Sequence, residues 1–260
     1  MALITCDFFS DALEVGTSIT VILPQRTESQ IGIAAAAAGD AGAPVLYLLH
    51  GLSDDHTAWL RRTSIERYAA PLGLAVVMPA VHRSFYADEV HGHRYWTFLS
   101  EELPRIVADF FRVSARRADT YVAGLSMGGY GALKWALREP SRFAAAASMS
   151  GALDVAALRP DQRALFDRVF GGPPGPNDDL LALLRDADVA ALPPLHVSCG
   201  TEDHLVDGNH IFVRAAEKAG ADVTVDFRPG EHEWGFWDAE IRTVLDWLPL
   251  PDAQPSSSSG

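Results

Sequence analysis

Cysteine and lysine are both nearly absent from this 260-residue chain, which holds only Cys6 and Cys199 and only Lys134 and Lys218. Two cysteines so far apart imply no disulfide framework. Cys199 ends an apolar run and reads as a small buried residue. The scarcity of lysine is a bias toward arginine rather than the mark of a site. No apolar run approaches the roughly 20 residues that a membrane-spanning helix needs. The opening residues, Met1-Ala2-Leu3-Ile4-Thr5-Cys6-Asp7, show no basic segment followed by an apolar stretch. No secretory leader is therefore visible, and a cytoplasmic location is expected. Nor is there a repeat of roughly 20–50 residues, which excludes a solenoid. Basic charge is also short: 21 Lys and Arg face 34 Asp and Glu, for a net charge of −13. That balance argues against nucleic acid or an anionic membrane as partner, since both attract basic surfaces.

What remains is ordinary for a soluble globular protein, with 48% hydrophobic and 21% charged residues. The length suffices for one large core. Residues 4–9 and 18–23 read as an antiparallel hairpin. A connection over 31–44 follows, with alanines at 34–38 and Gly39, Gly42 and Pro44 as punctuation. Buried-strand signals lie at 45–49, 74–78, 120–123, 144–149, 195–199 and 223–227. Helical patterns lie between them, at 57–70, 101–111, 130–137, 209–219 and 236–248. Apolar strands alternating with amphipathic helices predict an α/β protein, a mostly parallel sheet covered on both faces. Residues 154–194 break the alternation with helical pieces at 161–170 and 178–187 around a Gly- and Pro-rich turn, and read as a cap. The chain is expected to form one domain over 1–250, with a disordered tail at 251–260.

Gly124-Leu125-Ser126-Met127-Gly128 sits between the strand at 120–123 and a helix halted by Pro140. A G-x-S-x-G between strand and helix is a nucleophile elbow, a sharp turn that lifts a serine hydroxyl clear of the sheet. The small residues let strand and helix pass closely, and the helix N-terminus supplies N–H groups where an oxyanion would form. A serine hydroxyl needs an imidazole to take its proton and a carboxylate to orient that imidazole. In α/β-hydrolases these follow the serine in the order acid, then histidine. Asp203 stands just after the strand at 195–199, with Glu202 and Asp207 as competitors. His232 is the only histidine after the strand at 223–227. Oxyanion donors are expected from the backbone N–H of Met127 and of Leu52, with Ser53 the alternative to Leu52.

With these residues in place the chain resembles the esterase D-like family of α/β-hydrolases, over about residues 45–247. The resemblance is carried by Tyr47-Leu48-Leu49-His50-Gly51-Leu52, Trp59, Ser84-Phe85-Tyr86, Tyr95-Trp96-Thr97-Phe98-Leu99-Ser100-Glu101-Glu102-Leu103-Pro104, residues 124–131, Cys199-Gly200-Thr201-Glu202-Asp203 and Gly230-Glu231-His232-Glu233-Trp234. It implies an α/β-hydrolase fold, a Ser126–Asp203–His232 triad and an oxyanion hole of the Leu52 and Met127 N–H groups. The family includes tributyrin-type esterases, S-formylglutathione hydrolases, feruloyl and acetyl-xylan esterases, and mycolyltransferases. His50-Gly51-Leu52-Ser53-Asp54 differs from the Ser-Gly-Leu-Thr-Cys-like segment usual in S-formylglutathione hydrolases, so the likeness is greatest to the tributyrin esterase branch. The expected activity is hydrolysis of short-chain acyl esters through an acyl-enzyme, on a small-molecule ester and without a cofactor. A thioesterase or acyltransferase using the same triad is the alternative, and a non-catalytic binding module is the alternative of another class. Relatives often form homodimers or homotetramers.

Trp96, Trp234 and Tyr86 are expected to line the substrate pocket. Phe85 and Trp237 suit the pocket and the core equally. His91-Gly92-His93 beside Asp88 and Glu89 reads as a polar loop rather than a metal site, because zinc needs about four ligands at recognisable spacing. His232-Glu233 does not extend to H-E-x-x-H, since position 236 is Phe. No metal is expected.

Overall fold

Strand sequences that are apolar at every position need cover on both faces, and the alternation of side chains along them divides that cover into two cores. The computed structural model describes residues 1–25, 27, 36, 42–158 and 162–251. Among these residues, eight strands form one sheet in the order β1-β2-β4-β3-β5-β6-β7-β8. They are β1 (Ala2–Ser10), β2 (Val15–Leu23), β3 (Val45–Leu49), β4 (Ala75–Pro79), β5 (Thr120–Leu125), β6 (Ala145–Met149), β7 (Leu195–Gly200) and β8 (Val223–Arg228). β1 pairs antiparallel with β2, and β2 with β4; the other pairs are parallel. This is the α/β-hydrolase fold.

Along β3, Val45, Tyr47 and Leu49 enter one core while Leu46 and Leu48 enter the other. The first core is covered by α4 (Leu103–Phe110), α5 (Met127–Arg138), α8 (Val206–Ala219) and the cap. The second lies under α1 (Ala58–Arg62), α2 (Ile65–Ala69) and α9 (Trp234–Trp247). None of the helices described is long and apolar enough to cross a membrane.

The strand and most helix boundaries expected from sequence fall within three residues of those observed. Two helices differ more. The helix expected at 57–70 is two short ones, because the Thr63 hydroxyl donates to Trp59 O at 2.6 Å and accepts from the Ile65 N–H at 3.2 Å. That side chain offers the backbone an alternative to the helix ladder, and Thr63 is extended. The helix expected from 101 begins earlier, with α3 (Tyr95–Thr97) and a wide π-type turn over Phe98–Glu102. This wide turn runs directly into α4, which holds Pro104 in its first turn, where proline's missing N–H costs least. Residues 31–35 and 37–41 of the expected connection, and 252–260 of the expected tail, lie outside the described residues.

The cap carries α6 (Arg163–Phe170) and α7 (Leu180–Asp186), joined through Gly171 in the left-handed region. It is fastened to α5 by Lys134, whose side chain is fully buried. The Lys134 ammonium reaches Asp178 at 2.5 Å and Tyr86 O at 2.8 Å, and the Tyr130 hydroxyl donates to Asp178 O. Burying a charge so completely is tolerated only with such partners. A second fastening joins the loop after β4 to α6, through Val90 N–H to Val169 O and His91 N–H to Arg168 O.

Candidate active site

Ser126 occupies the turn between β5 and α5 with φ of 53° and ψ of −119°. Backbone in this region costs a non-glycine residue roughly 1–3 kcal/mol and persists only where surroundings enforce it. Here the Ser126 N–H donates to Met149 O, and its carbonyl accepts from the Tyr130 and Ala152 N–H groups. The flanking glycines are forced by space. A Cβ on Gly124 would lie 2.3 Å from Gly128 O, and one on Gly128 would lie 2.4 Å from Leu49 O. Strand, turn and helix therefore meet at a distance only glycine permits.

The loops after β7 and β8 bring two more groups to Ser126. His232 Nε2 lies 3.1 Å from Ser126 Oγ, and His232 Nδ1 lies 2.8 Å from Asp203 Oδ2. An ionised carboxylate only accepts, so the ring carries its proton on Nδ1 and leaves Nε2 free to accept. Asp203 is 2% exposed. Burial works against its charged form, but the hydrogen bonds from His232 and the Leu205 N–H, with the nearby imidazole, outweigh it and hold the carboxyl below its usual range. Of its sequence competitors, Glu202 accepts instead from the Gly230 N–H at 2.7 Å, tying the two loops together. Asp207 lies in the first turn of α8.

These groups open into a cavity of about 500 Å³ whose wall includes Gly51, Leu52, Ser53, Met127 and the aromatic rings of Phe85, Trp234 and Trp237. Leu52 and Met127 thus sit beside Ser126. Neither N–H donates to another group among the described residues. Trp234 lies on the cavity wall, packed edge-on against Trp59 and Trp237. Trp237 in turn meets the His232 ring at 4.8 Å. Two expectations are corrected. Tyr86 is fully buried behind the site, where its hydroxyl donates to His50 O at 2.8 Å. Trp96 lies away from the cavity, under the Arg138 guanidinium at 4.0 Å. Both belong to segments near the site, but sequence did not say which way their rings point. Sequence reasoning also missed Leu158 and Gln162, because nothing local fixes how a cap packs. It missed His204 and Leu205, though their position beside Asp203 was a usable signal.

His50 has a structural part. Its Nδ1–H donates to Gly51 O at 2.7 Å, and its Nε2 accepts from the Val81 N–H at 3.1 Å. Both bonds require the neutral ring, and burial pushes its pKa down to about 4. The unfolded chain, with an ordinary histidine pKa, therefore binds a proton that the folded chain refuses. Stability is intact above about pH 6.5 and declines as pH falls toward 4, by on the order of 3 kcal/mol from this group. His50→Asn, which does not titrate, is expected to flatten the acid limb of stability measured by urea unfolding.

Among the described residues the Asp88–His93 loop gathers no group of three potential metal ligands. Glu89 pairs instead with Arg168, and Asp88 accepts from the Thr97 N–H and hydroxyl. The one such trio is Asp203, His204 and His232, within the site itself.

The sequence model of the putative esterase family matches residues 10–248. An acetyl esterase of Caldicellulosiruptor saccharolyticus is 28% identical over 95% of this chain and 98% of its own. The substrate-bound structure of the fluorophosphonate-binding serine hydrolase F of Staphylococcus aureus superposes with a TM-score of 0.84. It is 30% identical, and the match covers 96% of this chain and 99% of that one. The apoenzyme of an S-formylglutathione hydrolase from the same organism gives a TM-score of 0.80 at 31% identity, over 95% and 98% of the two chains. The chain belongs to the putative esterase family and is a carboxylic ester hydrolase of the α/β-hydrolase fold.

Proposed function

We propose that the protein is a serine carboxylesterase that hydrolyses short-chain acyl esters through an acyl-enzyme. The observation that carries this reading is the continuous hydrogen-bonded line from Ser126 Oγ through His232 to Asp203. Ser126 attacks the ester carbonyl as His232 Nε2 takes its proton. Asp203 holds the ring in the tautomer that can accept, and steadies the imidazolium that forms. The Met127 and Leu52 N–H groups stabilise the tetrahedral oxyanion, each worth roughly 3–4 kcal/mol where such donors have been removed. The imidazolium then protonates the departing alkoxide. Water activated by the same His232 releases the acid and restores Ser126.

The aromatic wall sets the expected chain length. Phe85, Trp234 and Trp237 lie on the wall of the cavity of about 500 Å³ beside the serine, where a short acyl group would pack against their rings. A p-nitrophenyl ester series is expected to peak at acetate to butyrate. At octanoate kcat/KM should fall by about tenfold or more, since each misfit methylene costs about 1 kcal/mol or more. A profile that keeps rising to octanoate would contradict the short-chain assignment.

Thioester hydrolysis is the second reading, favoured by the full-length similarity to an S-formylglutathione hydrolase. The same triad serves both leaving groups. Comparing kcat/KM for an acetate ester and for its thioester analogue separates the two.

A further inference from the structure

A second hollow lies beside the ester cavity. It is an open groove of about 880 Å³ whose lining includes His82, Arg83, Gln162, Arg163 and Arg168, beside the apolar Ala164 and Leu165. Gln162 also lines the ester cavity, so the two spaces share a wall. The Gln162 Oε1 atom is itself buried, without a hydrogen-bond partner among the described residues. A buried amide oxygen left in that state is costly, and it leaves the amide nitrogen as the Gln162 group open to a ligand.

The groove runs against the charge of the molecule. The chain carries −13 overall, yet three arginines converge here. Arg168 is held in place by Glu89 at 2.9 Å, and its Nη2 donates to Arg83 O at 3.1 Å. The Glu89 side chain is only 1% exposed, so it anchors Arg168 from beneath rather than facing the groove. Arg163 keeps a side chain 76% exposed, with Asp167 at 3.8 Å. Arg83 is exposed and has no ion pair among the described residues. Guanidinium groups in this state retain N–H donors in the fork geometry that suits carboxylate and phosphate oxygens. The backbone here is also specialised, with φ of 48° at both His82 and Phe85. The turn that presents Arg83 to the groove thus also presents Phe85 to the ester cavity.

We propose that this arginine groove binds an anionic group on the distal arm of the substrate, so that the preferred ester carries a carboxylate or phosphate remote from the scissile bond. The assignment rests on the reading of Ser126 as the nucleophile and names the class of ester that the site takes. Gln162 would hydrogen-bond the arm where it passes from one space to the other.

The test compares matched pairs of esters that differ only in the distal group. One set carries a carboxylate on the acyl arm, one a carboxylate on the alcohol arm and one a phosphate on the alcohol arm. Each is paired with its methyl-capped, uncharged counterpart. At low salt the ratio of kcat/KM, charged over capped, is expected to reach about tenfold in at least one set, and the set shows which anion is bound. That ratio should collapse in about 0.5 M NaCl, as expected for an exposed contact. It should also collapse in the doubly substituted R83Q/R163Q protein, with folding checked by circular dichroism. The salt arm requires no substitution and stands even if the variant folds poorly. Ratios at or below one in every set, a preference indifferent to salt, or one that survives in a folded R83Q/R163Q protein would each overturn the assignment. Turnover of uncharged p-nitrophenyl butyrate by the wild type, and its loss in Ser126→Ala, tests the esterase reading separately.

Discussion

Ser126→Ala is expected to reduce kcat on p-nitrophenyl butyrate by roughly 10⁵–10⁶-fold, the scale seen when the serine of a working triad is removed. The substitution deletes one oxygen from a residue whose backbone is held by three hydrogen bonds. Alanine must adopt the same positive φ, which it does no more readily than serine, so the fold should survive with little change in Tm. Intact structure combined with lost turnover would separate a chemical role from a structural one. The residual rate would measure what binding and the two N–H donors contribute alone. Turnover within tenfold of wild type would remove Ser126 from the mechanism.

Asp203→Asn should cost roughly 10⁴-fold in kcat, with KM changed far less. The carboxylate oxygen 2.8 Å from His232 Nδ1 accepts the hydrogen bond of the Nδ1–H and so fixes the ring's tautomer. An amide nitrogen at that position would donate instead. It would turn the histidine proton to Nε2, where the ring can no longer accept from Ser126. The other carboxylate oxygen accepts from the Leu205 N–H at 2.9 Å. An asparagine oriented to keep this bond places its amide nitrogen toward His232, so the loop geometry favours the disabling orientation. Glu202→Gln offers the contrast. That side chain accepts from the Gly230 N–H and from Thr201, faces solvent and does not touch His232, so its loss should change kcat by no more than a few-fold.

The order Ser126, Asp203, His232 was legible because each residue stands just beyond a strand that its own apolar run announces. Parallel strands end together on one edge of the sheet, and that edge is where ligands bind in open α/β sheets. The elbow was legible for a steric reason, since no Cβ fits at Gly124 or Gly128. Orientation was less accessible. Trp96 and Trp234 are equally aromatic and both lie in segments near the site, yet one stacks under Arg138 and the other lines the cavity. Which way a ring points depends on the helix or loop that carries it and on distant partners. Tyr86 turns away from the cavity to reach His50 O, a contact 36 residues back in the chain. The cap was readable as an insertion but not as a wall. Gln162 stands at the start of α6, which is fastened to the loop after β4, and Leu158 ends a separate turn; neither placement has a periodic signature in the sequence.

The central claim is that Ser126 forms a covalent acyl intermediate. It is tested most directly by mixing the enzyme with p-nitrophenyl acetate, quenching in acid within the first turnovers and mapping peptides by mass spectrometry. The account predicts an acetyl group on the peptide containing Ser126, on Ser126 itself, that accumulates with a burst of p-nitrophenol and is absent from Ser126→Ala. An enzyme that turns over the ester with no acetylated Ser126, or with the acetyl group on another residue that is needed for turnover, would contradict it.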